Sequence, residues 1–161
     1  MAMKKIILSC LLLLFCLTSC QKGVHSFTGD YSYKVSGSVT VEGLIDEYDK
    51  MITPRIGQMN IVRVNGSKNR VMITMNESGG SAYVCYGTVS GNRLTIDRYS
   101  FTTEMTLNAT ETGLYNVYAS GSGELTDDVL VIHEMWGGIK TNDEDVMFQG
   151  TDILIVAKRN D

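Results

Sequence analysis

The stretch Phe27-Thr28-Gly29-Asp30-Tyr31-Ser32-Tyr33-Lys34-Val35-Ser36-Gly37-Ser38-Val39-Thr40-Val41-Glu42 decides the fold. Phe27, Gly29, Tyr31, Tyr33, Val35, Gly37, Val39 and Val41 fall on one parity, and Thr28, Asp30, Ser32, Lys34, Ser36, Ser38, Thr40 and Glu42 on the other. Successive side chains of a strand point to opposite faces, so this period of two predicts a strand with its aromatic face inward and its polar face in water. It outruns the usual ~5–6 residues, and Ser36-Gly37-Ser38 at its middle supplies a small-residue bend. A long strand bent in this way suits a sheet that curves round and closes.

Strand signals continue outward from it, separated by turn residues. Met59 to Val64 ends at Asn65-Gly66, Arg70 to Met75 at Ser78-Gly79-Gly80, and Ala82 to Val89 at Ser90-Gly91-Asn92. Leu94 to Phe101, with a weaker run to Leu107, is followed by Leu114 to Leu125, a turn at Thr126-Asp127-Asp128, Val129 to Trp136, and a last strand from about Asp152 to Lys158. Glycine and asparagine between apolar runs are hairpin residues, and a spacing of ~8–12 residues describes an antiparallel meander. The segments Gly87–Ile96 and Gly123–Ile132 repeat one pattern, read as two equivalent corners of one sheet. Leu44, Ile45, Tyr48, Met51 and Ile52 share a helical face before Pro54, so Gly43–Thr53 is expected as a short helix or lid, with a strand as the alternative.

Composition agrees with a single all-β domain. The chain has 161 residues, 43% of them hydrophobic, with 16 Gly, 8 Tyr and 1 Pro. A charged fraction of 20% and a net charge of -4 point neither to a disordered acidic tail nor to a basic nucleic-acid surface.

The first twenty residues carry an address. Lys4 and Lys5 precede an apolar run from Ile6 to Leu17, too short for a membrane span of ~20 residues, and small residues follow at Thr18 and Ser19. Leu17-Thr18-Ser19-Cys20 resembles the lipobox of bacterial lipoproteins, which implies cleavage before Cys20 and acylation of Cys20. The expected organisation is a signal peptide over 1–19, a lipid-anchored tether over 20–26 and a β-barrel domain over 27–161. Cys10 and Cys16 leave with the signal, so Cys85 is the one remaining thiol and no internal disulfide is available. Loss of Lys4 and Lys5 leaves 12 basic residues against 18 acidic, a net charge of -6, so the acyl chains must anchor the domain without help from attraction to anionic head groups. Gln21 stands where Asp, in the enterobacterial pattern, retains a lipoprotein in the inner membrane, and Gln21-Lys22-Gly23-Val24 lacks an acidic surface-export cluster. The expected location is the cell envelope, on the outer membrane facing the periplasm.

With its lipobox, its Gly29-Asp30-Tyr31 and its Gly-x-Leu-turn-Leu-x-Ile corners, the chain resembles the small lipocalin-like or calycin-like lipoproteins common in Bacteroidetes. The resemblance covers most of the mature chain and implies an antiparallel meander barrel of about eight to ten strands that holds a small apolar ligand. Tyr31 stands where lipocalins carry the Trp of Gly-x-Trp, and no late Arg is evident in the sequence to stack on it.

Chemistry beyond binding finds little footing, and no catalytic, metal or cofactor residues are assigned. His25 falls in the tether, and His133 and Glu134 are neighbours on a strand, pointing to opposite faces. Cys85 lies inside a strand between Tyr83 and Tyr86, the setting of a buried, inert thiol. Asn142-Asp143-Glu144-Asp145 lacks calcium-loop spacing and reads as a solvated turn, and neither Gly121-Ser122-Gly123 nor Gly137-Gly138 has the context of a phosphate loop. Tyr31, Tyr33, Tyr83, Tyr115 and Trp136 are the ligand-binding candidates, with core filling as the competing role, and Met51, Met59, Met72 and Met75 add adaptable apolar surface. The function expected is a lipid-anchored, non-catalytic binding module for a small hydrophobic or amphipathic ligand. The alternative is an envelope accessory protein whose solid barrel acts through protein contacts.

Overall fold

The computed structural model describes residues 23–42, 47–80, 82–107 and 111–161. The expected signal peptide and the expected acylation site at Cys20 lie outside the described residues. A helical turn, α1 (Val24–Phe27), leads into ten strands. These are β1 (Gly29–Ser36), β2 (Ser38–Glu42), β3 (Glu47–Met51), β4 (Arg55–Arg63), β5 (Arg70–Glu77), β6 (Ala82–Ser90), β7 (Arg93–Leu107), β8 (Glu111–Thr126), β9 (Val129–Lys140) and β10 (Asp143–Arg159).

The sheet runs β1-β4-β5-β6-β7-β8-β9-β10, and β10 returns to pair with β1 from Tyr31↔Arg159 to Ser36↔Leu154. The result is a closed, antiparallel, eight-stranded meander barrel. β2 and β3 are the upper continuations of β1 and β4, with β2 also lying against β10 over Thr40–Glu42. Gly37 is the joint: its φ is +150°, and a Cβ there would stand 2.7 Å from the carbonyl oxygen of Asp152. Only glycine lets the first strand bend while staying on β10, whose own register shifts between Gly150 and Ile153.

The two repeated segments form neighbouring corners of the barrel. Gly91 turns at φ 64°, and in the equivalent turn Asp127 adopts φ 53°, a conformation that aspartate tolerates better than most residues. The Leu125 amide donates to the Asn92 carbonyl at 2.9 Å and ties one corner to the other.

Alternation then sorts the wall. Inward residues such as Val35, Ile61, Val71, Ile73, Leu94, Leu130 and Ile155 are wholly buried and make one continuous core. Outward residues such as Asp30, Ser32, Lys34, Gln58, Asn76, Ser100, Glu104, Ser122, Glu124 and Lys158 are exposed. The outer wall is mixed, since Ile56, Val84, Tyr86, Tyr118, Met135 and Met147 are exposed among these polar residues.

Four expectations are corrected. Phe27 belongs to α1, not to the first strand, and with Val24 it is buried beneath the barrel, so the second half of the expected tether is docked structure. The part of Gly43–Thr53 expected as a helix that falls within the described residues is strand β3. So short a helix is marginal by itself, whereas β3 satisfies the backbone of β2, and Thr40 donates to Asp49 across the pair at 2.7 Å. Asp143 and Asp145 lie in strand β10, whose pairing with β9 begins directly after the turn at 141–142. The late arginine is present: Arg159 lies 5.3 Å over the ring of Tyr31.

Candidate functional site

The barrel has a floor and a mouth. At the floor the Tyr31 hydroxyl donates to the carbonyl of Phe27 at 2.9 Å and accepts from Arg159 Nη2 at 2.8 Å. The same guanidinium nitrogen donates to the carbonyl of Ser26, so α1 is closed over the end of the barrel. Above the floor, Met59, Met75, Cys85, Ile96 and Ile132 fill the interior. Cys85 is a free, buried thiol, and desolvation by burial pushes its pKa up to about 12. These side chains belong to the one continuous buried core of the barrel.

Toward the mouth the interior changes character. Parity carries Arg55 on β4, Glu77 on β5, Thr103 on β7 and Glu134 on β9 to the inside. Arg55 Nη1 donates to Glu77 Oε2 at 2.9 Å and to Thr103 Oγ1 at 2.8 Å, and the guanidinium lies 5.3 Å over the Trp136 ring. Glu134 is almost wholly buried; its Oε2 accepts from Trp136 Nε1 at 2.8 Å, and its Oε1 accepts from the Tyr99 hydroxyl at 3.0 Å. Burial pushes its pKa above the ordinary carboxylate range, against the pull of these two donors and of Arg55. Glu77 is shifted in the same direction by burial, opposed by Arg55 and by the hydrogen bond from Thr103.

Aromatic rings line the same region. Tyr83 and Phe101 stack at 4.4 Å, Tyr99 lies 5.6 Å from Phe101, and Trp136 meets Phe101 edge-on at 5.7 Å. Tyr83, Tyr99 and Phe101 close the wall above the short β6–β7 ladder, which runs only from Ser90↔Arg93 to Gly87↔Ile96. The Tyr33 ring crosses Gly57 of the neighbouring strand, where a Cβ would sit 2.7 Å from its Cζ. Burial raises the pKa of both Tyr33 and Tyr83, so both phenols keep their protons.

Several of these polar atoms are buried without a hydrogen-bond partner among the described residues. They are Arg55 Nε and Nη2 and Glu77 Oε1. The hydroxyls of Tyr33 and Tyr83 are buried as well and face each other, Tyr83 acting on Tyr33 as a hydrogen-bonding neighbour. Arg55, Glu77 and Thr103 also line an open cavity of about 690 Å³ at the mouth, bounded by Pro54, Ser78, Gly79 and Leu114.

Of the five sequence candidates, the structure brings Tyr33, Tyr83 and Trp136 into this region. Tyr31 is the floor, and Tyr115 meets Phe148 edge-on at 5.6 Å, outside the Arg55 cluster. Met59 and Met75 are core, while Met51 is exposed. His133 is exposed, 3.4 Å from Asp152, on the face opposite Glu134. Sequence reading passed over Arg55, Glu77, Thr103, Tyr99 and Phe101 and weighed Glu134 only as a metal ligand. Parity held the missing signal, since Arg55 shares a face with Met59 and Ile61, Glu77 with Ile73 and Met75, and Glu134 with Leu130 and Ile132.

Fold and interior together define a closed eight-stranded antiparallel barrel with an apolar core and a polar, aromatic mouth. No protein-family model and no curated protein matches the sequence. Among solved structures, the chain is similar to a redesigned β-barrel at 11% identity, covering 89% of this chain and 98% of that one, with a TM-score of 0.41. It is also similar to Neisserial surface protein A at 11% identity, covering 83% of this chain and 98% of that one, with a TM-score of 0.46.

Proposed function

We propose that this chain is a lipid-anchored lipoprotein of the cell envelope, acylated on Cys20 and held on the periplasmic face of the outer membrane. Its barrel is a non-catalytic binding module for a small amphipathic molecule, of the lipocalin-like kind the sequence resembles. The observation that carries the reading is the set of buried polar atoms without partners among the described residues, Arg55 Nε and Nη2 and Glu77 Oε1, on two residues that line an open cavity. Such groups cost roughly 1–3 kcal/mol each when left unsatisfied, and a ligand entering from the mouth satisfies them. The ligand seat lies at the mouth and not in the buried centre of the barrel, with Ile56 and Leu114 on its apolar side.

Mass spectrometry of the full chain purified from membranes in detergent tests both halves. Expected are a denatured mass for a chain starting at an acylated Cys20 and, under native conditions, an additional small molecule. An unmodified cysteine removes the anchor. A bare native mass that persists after incubation with envelope extract removes the binding module.

The second reading, a solid accessory barrel, has its own observation. Tyr118, Met135 and Met147 are exposed around Gly137 on the outer wall of β8–β10, where a groove of about 520 Å³ opens. Crosslinking in cells from position 135 to one abundant envelope protein would favour it.

A further inference from the structure

We infer that the mouth selects a small organic anion, a carboxylate carried on an apolar or aromatic body, and that the unused edge of Arg55 is its seat. The inference rests on the binding-module reading and adds the chemical class of the ligand.

A guanidinium offers five N–H donors in a fixed plane. In Arg55 the Nη1 side is occupied by Glu77 and Thr103, whereas Nε and Nη2 are buried without partners among the described residues. Those two nitrogens form the side-on fork that matches the two oxygens of one carboxylate. The position of the fork is fixed, because Glu77 and Thr103 hold one edge and Trp136 lies beneath the plane.

The hydrogen-bond inventory of the site also favours an anion. The two Arg55 nitrogens and the proton of the Tyr33 hydroxyl, which has Tyr83 as its hydrogen-bonding neighbour, supply donors, and among the described residues Glu77 Oε1 is the unpartnered carboxylate oxygen beside them. A site with surplus donors is satisfied by a group rich in acceptors. A cationic ligand would instead meet Arg55, which already occupies the face of Trp136. A neutral amide or alcohol presents one acceptor oxygen to a fork built for two.

The chain's single tryptophan, Trp136, lies under Arg55, so its emission reports the site directly. The full chain in detergent is titrated with 3-phenylpropionate, 3-phenylpropanamide and 3-phenylpropanol, and with octanoate and octanol. Expected is at least tenfold tighter binding of each carboxylate than of its neutral counterpart. Arg55→Gln abolishes the preference, and Arg55→Lys, which keeps the charge but not the fork, restores only part of it. Tyr33→Phe, which preserves packing, weakens the carboxylates several-fold and leaves the alcohols unchanged, and so decides the matter if Arg55→Gln fails to fold. Equal affinity for acid and amide, or a preference that survives Arg55→Gln, overturns the inference and leaves the binding module standing. Failure of every probe, charged and neutral, counts against the binding module itself.

Discussion

Arg159, on the last strand, lies 5.3 Å over the ring of Tyr31 on the first and donates to its hydroxyl at 2.8 Å. One cation thus closes the barrel seam, caps a phenol and holds α1 in place. Arg159→Leu removes all three contacts and leaves the buried Tyr31 hydroxyl without its donor, at an expected cost of about 1–3 kcal/mol. Tyr31→Phe should cost less. Urea unfolding of both single variants and the double should give a coupling energy of roughly 0.5–3 kcal/mol; simple additivity would show that the contact contributes no coupling.

Glu134 gives a pH-dependent prediction whose sign is fixed by its raised pKa. The folded state binds the proton more tightly than the unfolded chain does. Stability from this group is therefore complete below the ordinary carboxylate range and is lost as pH rises through the raised folded value. Glu134→Gln stays neutral and still accepts from Trp136, so its melting temperature should gain on the parent across the pH range above the ordinary carboxylate value, by a few degrees for each ~1 kcal/mol. Glu77 titrates in both chains and cancels. A constant difference across that range refutes the assignment.

Gly57→Ala should destabilise the barrel by about 1–3 kcal/mol or more, because the added methyl meets the Tyr33 ring at 2.7 Å and the Asn76 carbonyl oxygen at 2.3 Å. Shortening Tyr33 to Leu removes only the first clash. Calorimetry of the double variant should show no full rescue, and recovery to the stability of Tyr33→Leu alone would mean that the backbone gives way there.

The Cys85 thiol is buried and pushed up to about 12, so almost no thiolate forms near neutrality. A thiol reagent should label it only at the rate of unfolding, and denaturant should restore ordinary reactivity. Fast labelling of the folded chain would mean that the β5–β6 wall opens.

The fold was legible because the wall is repetitive. Alternation from Gly29 to Val41 and the turns at Asn65-Gly66, Gly91 and Asp127 each act over a few residues, so the sequence states them directly. What it hid depends on partners remote in the chain. Nothing within Glu47–Met51 announces that β2 needs an edge partner, and Arg159 acquires meaning only once β10 returns beside Tyr31. The mouth was hidden differently. Arg55 and Glu77 at strand ends and Glu134 in the middle of β9 obey the inward parity of their strands, but a charged residue reads as surface until the ring closes and puts all three inside. Tyr33, Tyr83 and Trp136 were found because aromatic residues announce burial by type.

The docked α1 sets how the barrel would stand on a membrane under the proposed anchor. With Phe27 seated in the floor and α1 beginning at Val24, only Gln21, Lys22 and Gly23 separate an acylated Cys20 from folded structure, about 10 Å of chain at full extension. The domain is then less a ball on a string than a cup standing on its base. On the proposed anchor its rim would point away from the lipid, so cargo would arrive from and depart to the aqueous side, and exchange with a neighbour would require that neighbour to reach over the rim.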